Sequence, residues 1–209
     1  MRAFASLLIL LLSAVSCATA PAPDYTEFRT LRPASILVLP PVNNSIDVGA
    51  AHGYLSIISK PIAERGFYVF PVAVVESYFK SQGLSEPAEI HNIPPKKLQE
   101  IFGADAIFYV TIEEWGNKYQ LITSTTKVEA TGVLVDAGSG TELWRGTHKA
   151  QSSSGSSGNS VGSILAEAAL SQIVKELTDE TRDLARSTSD HYIMGPAGFI
   201  EGPFLLLTK

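Results

Sequence analysis

Four consecutive apolar residues, Ile36-Leu37-Val38-Leu39, stopped by Pro40-Pro41, constrain the fold of this chain more than any other feature. A short unbroken apolar run of this kind reads as a strand buried on both faces, because a strand with one wet face alternates. From about Gly49 to Arg65 the apolar positions Leu55, Ile58 and Ile62 recur at helical spacing. Pro61 is expected to kink or split that helix and Gly66 to close it. Phe67–Val72 reads as a second strand, Val74–Lys80 as a short helix, and Lys96–Phe102 as another, with Pro95 suited to its first turn. Ala104–Ile112 is a further apolar strand. Leu121–Val135 then alternates polar and apolar residues, as antiparallel strands exposed on one face do. The turn Asp136-Ala137-Gly138-Ser139-Gly140 sends the chain back through Thr141–Ala150 as a hairpin. Ser152–Ser163 reads as a Ser/Gly-rich loop. Asn159 or Ser160 is expected to cap a long helix to about Ala185, with a stripe that includes Val161, Ile164, Leu165, Ala168, Ile173, Leu177 and Leu184. The predicted fold class is α/β, a mixed sheet flanked by helices with an antiparallel hairpin and a long C-terminal helix.

The N-terminus predicts a compartment. Arg2 precedes an apolar stretch, Ala3–Leu12, and a small-residue patch, Ser13-Ala14-Val15-Ser16, that ends at Cys17. About a dozen apolar residues are too few to span ~30 Å of hydrocarbon as a helix, but they suit a cleaved signal. Two cleavage sites compete. Cutting after Ala18-Thr19-Ala20 would put Pro21 beyond the scissile bond, where its fixed φ and missing N–H are unfavourable. Cutting before Cys17 resembles lipobox processing, with small Ser16 preceding the cysteine. Cys17 is the only cysteine, so a disulfide within the chain is ruled out, and lipidation through its sulfur gives it a role. Ala18 follows it rather than aspartate, which points to the outer membrane. Residues 18–33 are rich in Ala, Pro and Thr without a sustained period and read as a semi-extended tether. The expected organisation is a signal peptide at 1–16, a lipidated tether at 17–33, an α/β domain at 34–188 and a tail at 189–209. No periodicity places the tail.

Hydrophobic residues at 45% and charged residues at 18% fit one globular domain with a real core. The net charge of −5 becomes −6 once Arg2 leaves with residues 1–16, which argues against nucleic acid and against an anionic lipid surface as partners. The one enzyme-like motif is Gly158-Asn159-Ser160-Val161-Gly162, followed by Asp179 or Asp183 and then His191, in the order of a serine-hydrolase triad. Its serine should follow a strand. Here it follows a Ser/Gly run, and helix capping explains it more simply. His52, His91, His148 and His191 are scattered without metal-ligand spacing, so no metal is implied. Glu113 and Glu114 are strand neighbours, expected on opposite faces. Without a phosphate-binding loop, no nucleotide or other cofactor is implied. Trp115, Tyr119 and Trp144 are candidate interface anchors, and the hairpin edge is a candidate docking strand.

Four runs carry a family resemblance: Ile36–Asn43 (ILVLPPVN), Gly66–Pro71 (GFYVFP), Gly103–Tyr109 continuing to Glu113–Gly116 (GADAIFY, EEWG), and Thr141–Gly146 (TELWRG). Together they resemble a family of uncharacterised lipoproteins that includes a neisserial surface-antigen candidate, over about residues 33–186. The family's domain is similar to the N-terminal domain of TolB and to the periplasmic domain of the curli channel CsgG. The resemblance implies a three-layer α/β domain without catalytic residues. It further implies association with CsgG-like partner lipoproteins, and a homodimer, in an envelope export or assembly complex. Pro40-Pro41 and Asn43 are expected to shape the exit from the first strand. The function so implied is that of a non-enzymatic accessory lipoprotein, held on the outer membrane with its domain in the periplasm. Two alternatives stay open: a periplasmic serine hydrolase using Ser160, and a module that binds a small apolar ligand.

Overall fold

The computed structural model of the chain describes residues 23–120, 123–155 and 181–207. Six strands form one sheet: β1 (Ser35–Val38), β2 (Val42–Asn43), β3 (Tyr68–Val69), β4 (Ala106–Gln120), β5 (Thr123–Asp136) and β6 (Glu142–Gly155). Their order is β3-β1-β4-β5-β6, with β2 also pairing with β4. β1 runs parallel to β3 and β4, and β2 parallel to β4, whereas β4, β5 and β6 are antiparallel. The sheet is therefore mixed, as the alternation of sequence patterns predicts. Asp105 fixes the register at its start: one carboxylate oxygen accepts from the Ala34 and Ser35 N–H groups, at 3.0 and 2.9 Å, and from the Ser35 hydroxyl at 2.9 Å. Leu39 N–H still donates to the Phe108 carbonyl. Pro40 and Pro41 have no N–H to offer the ladder, and pairing resumes only at Val42, opposite Thr111.

Both faces of β1 are covered. Ile36 and Val38 belong to one buried cluster, with Tyr54, Ile58, Phe108 and Phe199, while Leu37 and Leu39 belong to another, with Val75, Phe79, Ile90 and Leu98. The first cluster is closed by α1 (Thr26–Leu31), α2 (Ala50–Glu64) and a helix at 181–194, here α6. The second is closed by α3 (Val72–Ser81), α4 (Pro87–His91) and α5 (Pro95–Phe102). This is a three-layer α/β arrangement. Helix α2 runs unbroken through Pro61, which is itself buried, so the expected split does not occur; Gly66 follows at φ +93°, a backbone conformation that favours glycine.

Four local expectations are corrected. β4 continues past Ile112 to Gln120, because a register shift between Ile112 and Glu114 lets Ile112 and Trp115 enter the same core despite their odd spacing. Ser152–Gly155 extend β6 opposite Thr123–Thr126 rather than opening a loop. Residues 26–31 are helical with Phe28 buried, so the part of the expected tether from Asp24 onward is folded. Finally, the expected helix end at Ala185 is passed, and α6 runs on to residue 194. Its inward face is Thr181, Ala185, Ser189 and Ile193, four apart and buried, but too small and polar for hydropathy to register. The Ser187 and Thr188 hydroxyls bond back to the Leu184 carbonyl.

The expected tail is part of the core. Phe199 is fully buried, its ring meeting those of Phe28, Phe67, Phe108 and Trp144 at centroid distances of 6.1, 6.1, 5.6 and 4.9 Å. Gly202 N–H donates to the Arg65 carbonyl and Phe204 N–H to the Gly66 carbonyl, which ties the tail to the corner between α2 and β3. A short 3₁₀ helix, Pro203–Leu207, follows.

Tyr192 of α6 reaches into the β5–β6 ladder. Its hydroxyl accepts from Gly132 N–H at 2.9 Å and donates to the Gly146 carbonyl at 2.7 Å, and these two glycines face each other in register. A Cβ on Gly132 would lie 2.6 Å from both Phe108 and the Tyr192 hydroxyl, and one on Gly146 would lie 2.5 Å from Trp144. Only a glycine pair leaves room for the phenol. Tyr192→Phe is expected to cost about 1–3 kcal/mol, the range for leaving buried backbone groups without their partner. Urea denaturation should show this as a lower midpoint at unchanged slope.

Candidate functional site

Of the residues singled out by the sequence, Cys17, Ser160 and Asp179 lie outside the described residues. Asp183 and His191 are both on α6, where eight residues at 1.5 Å rise put them about 12 Å apart along the axis. Asp183 pairs instead with Arg186, at 3.2 Å. The structure does not bring this acid and this base together, because one straight helix carries both.

The histidines are separated as well. His52 is exposed, 3.4 Å from the Glu76 carboxylate, and Glu76 also binds Lys80 at 2.7 Å. The Lys80 hydrogen bond, more than any other cause, holds the Glu76 carboxyl below the usual range. His91 Nε2–H donates to the Pro40 carbonyl at 2.9 Å, and burial lowers the affinity of the ring for a second proton. His91 thus anchors the turn after β1, where Asn43 also works: its Nδ2 donates to the Asp47 carbonyl, while its Oδ1 accepts from Ser45. That shaping of the strand exit matches the expectation for Pro40-Pro41 and Asn43. Among the described residues, no three His, Cys, Asp or Glu side chains converge as a metal site.

His148 is different. It is 2% exposed, neither ring nitrogen has a hydrogen-bond partner among the described residues, and its ring stacks on Tyr192 at 5.4 Å. Burial pushes its pKa down to about 4. Burial likewise raises the phenols of Tyr54 and Tyr192 above their ordinary value. Tyr54 and His148 are buried, and Tyr192 is half-buried against the same core cluster.

The aromatic anchors are corrected in the same way. Trp115 packs under Tyr54 and against Gly53, and Trp144 is buried with its indole N–H donating to the Ala197 carbonyl at 2.8 Å. Both tryptophans serve the core. The side chain of Tyr119 lies outside the described residues. Glu113 sits at the β4 irregularity and accepts from Asn44 Nδ2 at 3.0 Å.

Three of the surface features among the described residues carry apolar side chains within reach of solvent. A cavity of about 210 Å³ between α2, α3 and α4 is lined by Pro40, Pro41, Leu55, Leu84 and Ile90 with the Glu76–Lys80 pair at its edge. A second, of about 260 Å³, lies between α1 and the tail over Phe28, Phe67 and Ile200. The third is the loop before α2, where Ile46 and Val48 are 87% and 93% exposed while Asp47 between them accepts from Gly49 N–H. Sequence patterning passes over both the tail-side cavity and this loop: the loop has no periodic run, and the charges at the cavity, Arg29, Arg32 and Glu201, come together only in the folded chain.

The described residues thus define a three-layer α/β domain built on one mixed sheet with a buried cluster on each face. The chain belongs to the family described as Putative lipoprotein GNA1162-like, whose model matches residues 23–204. It is similar to the protein of Neisseria meningitidis serogroup B described as Putative lipoprotein NMB1124/NMB1162, 41% identical over 198 residues, covering 93% of this chain and 92% of that one. It is also similar to the crystal structure of lipoprotein GNA1162 from Neisseria meningitidis, at 41% identity and a TM-score of 0.55, covering 72% of this chain and 99% of that one. Membership in a lipoprotein family points to a membrane-anchored place in the cell envelope.

Proposed function

We propose that this protein is a non-enzymatic accessory lipoprotein, acylated on Cys17 with diacylglycerol and palmitate and held on the outer membrane with its domain in the periplasm. There it docks onto CsgG-like partner lipoproteins, and onto a second copy of itself, within an export or assembly complex. The observation that carries this reading is the span of the family match: it opens at residue 23, six positions after Cys17, and runs to residue 204. The whole folded part is thus a lipoprotein-family domain next to a candidate acylation site. The reading is supported by the separation of Asp183 from His191, which denies Ser160 that acid–base pair. It is supported also by exposed Ile46 and Val48, which offer apolar contact on a loop held in shape by Asn43 and Asp47.

The two chains of the diacylglycerol alone, at about 0.8 kcal/mol per buried CH₂, give an effectively permanent anchor, and the palmitate adds a third. Cys17→Ala is therefore expected to move the protein from the membrane to the soluble fraction, read by detergent partitioning and intact mass. A wild-type chain that is soluble and starts at Pro21 would sink the proposal. Photo-crosslinkers at Ile46 and Val48 in the anchored protein should then capture envelope lipoproteins. Ser160→Ala should leave the phenotype unchanged, whereas a hydrolase would lose its activity.

A further inference from the structure

The folded domain starts closer to the lipid than sequence composition suggests. Asp24 accepts from the Thr26 N–H and hydroxyl at 2.9 and 2.7 Å, the Tyr25 hydroxyl donates to the Gly198 carbonyl, and Phe28 is buried. The chain is therefore fixed in place from about Asp24 onward. Seven peptide steps separate Asp24 from Cys17. At full extension they reach at most about 25 Å. The antiparallel arms, by comparison, are about 45 Å long at roughly 3.3 Å per residue. A tether shorter than the domain it holds cannot let that domain turn freely over the bilayer.

The surface at the point of entry has the composition of a membrane interface. Leu31 on α1 and Phe204 on the tail are 40% and 46% exposed. Arg29 and Arg32, both exposed, line the rim of the cavity whose floor is Phe28, Phe67 and Ile200. Leucine and phenylalanine side chains gain by entering the boundary between headgroups and acyl chains, and guanidinium groups bind lipid phosphate while their stems stay in apolar surroundings. Glu27 and Glu201 are exposed nearby and weaken attraction to phosphate. The lipid anchor supplies the affinity, and this face needs only to supply orientation, since tethering makes its contact intramolecular.

We infer that the end of the domain formed by α1 and the tail, with Leu31, Arg29, Arg32 and Phe204, lies against the interfacial layer of the membrane. The inference rests on the acylation of Cys17 proposed above. The sheet then points its far end outward. β1 begins beside Asp105 at the tether end and the chain continues through β2 to Ile46 and Val48, so that loop is presented away from the bilayer.

The test uses the full acylated protein in vesicles of phosphatidylethanolamine and phosphatidylglycerol that carry nitroxide-labelled lipid. Cys17, once acylated, has no free thiol, so Leu31→Cys, Phe204→Cys and Val48→Cys each give a single site for a fluorophore. Quenching at positions 31 and 204 is expected to exceed that at 48 by threefold or more. Adding Arg29→Glu and Arg32→Glu should lower the quenching at 204. Equal quenching at the three sites, or more at 48, in protein that floats with the vesicles overturns the orientation and leaves the anchor standing. Protein that fails to float overturns the anchor, and the orientation with it.

Discussion

Phe199→Ala is expected to destabilise the domain by about 3–5 kcal/mol, the usual cost of deleting a fully buried aromatic ring. Phe199 is 0% exposed and lies among Phe28, Phe67, Phe108 and Trp144, which come from α1, the segment after α2, β4 and β6. Four separate parts of the chain therefore lose contacts at once, and the backbone bonds from Gly202 and Phe204 to the end of α2 limit how far the tail can collapse into the gap. Phe204→Ala is the control. That side chain is 46% exposed, and its loss should cost under about 1 kcal/mol. Denaturant midpoints of the two variants decide the matter: similar values would mean that residues 195–207 are dispensable to the core.

Acidification is expected to weaken the fold through His148. The ring is buried, with no hydrogen-bond partner among the described residues, and burial holds its folded pKa at about 4, below the ordinary histidine value. A group depressed in this way contributes its full stability above pH 6.5 and loses it as pH falls toward 4. The loss is about 2 kcal/mol by pH 5 and about 3 kcal/mol by pH 4, relative to pH 8. Carboxylates such as Glu76, held below their usual range, add a loss in the same direction at lower pH. The measurement is consequently the difference between wild type and His148→Gln in stability against pH. The variant should be flatter between pH 6.5 and 4. Parallel curves would show that His148 takes up its proton as readily in the folded state as in the unfolded one.

Elements whose signal is local are legible in the chain before it folds. An unbroken apolar run cannot be a one-sided strand, so Ile36–Leu39 alone demanded layers on both faces of the sheet, and Leu37 and Val38 do lie in different cores. The turn at Asp136–Gly140 was equally legible, because the Asp136 carboxylate and the φ of +75° at Gly140 are properties of those few residues. The signal segment expected before Cys17, which lies outside the described residues, is read from composition alone. No folded contact was needed to read it.

Features that depend on partners far apart in the chain appear only once it is folded. Trp115 and Trp144 look like interface residues until Tyr54, Gly53 and Ala197 are seen to cover them. The buried face of α6 is made of Thr181, Ala185, Ser189 and Ile193, too small and polar to stand out, because the space between helix and sheet is filled from the other side by larger side chains. The glycines at 132 and 146 read as ordinary strand interruptions until Tyr192 is placed between them. Residues 26–31 and 195–207 carry no sustained period, since each is held by the other and by Phe28, Phe67 and Phe199 rather than by a pattern of its own. Periodicity reports only the contacts a segment makes along one repeating face; where a segment is held by single residues docking into a remote core, the folded chain alone shows it.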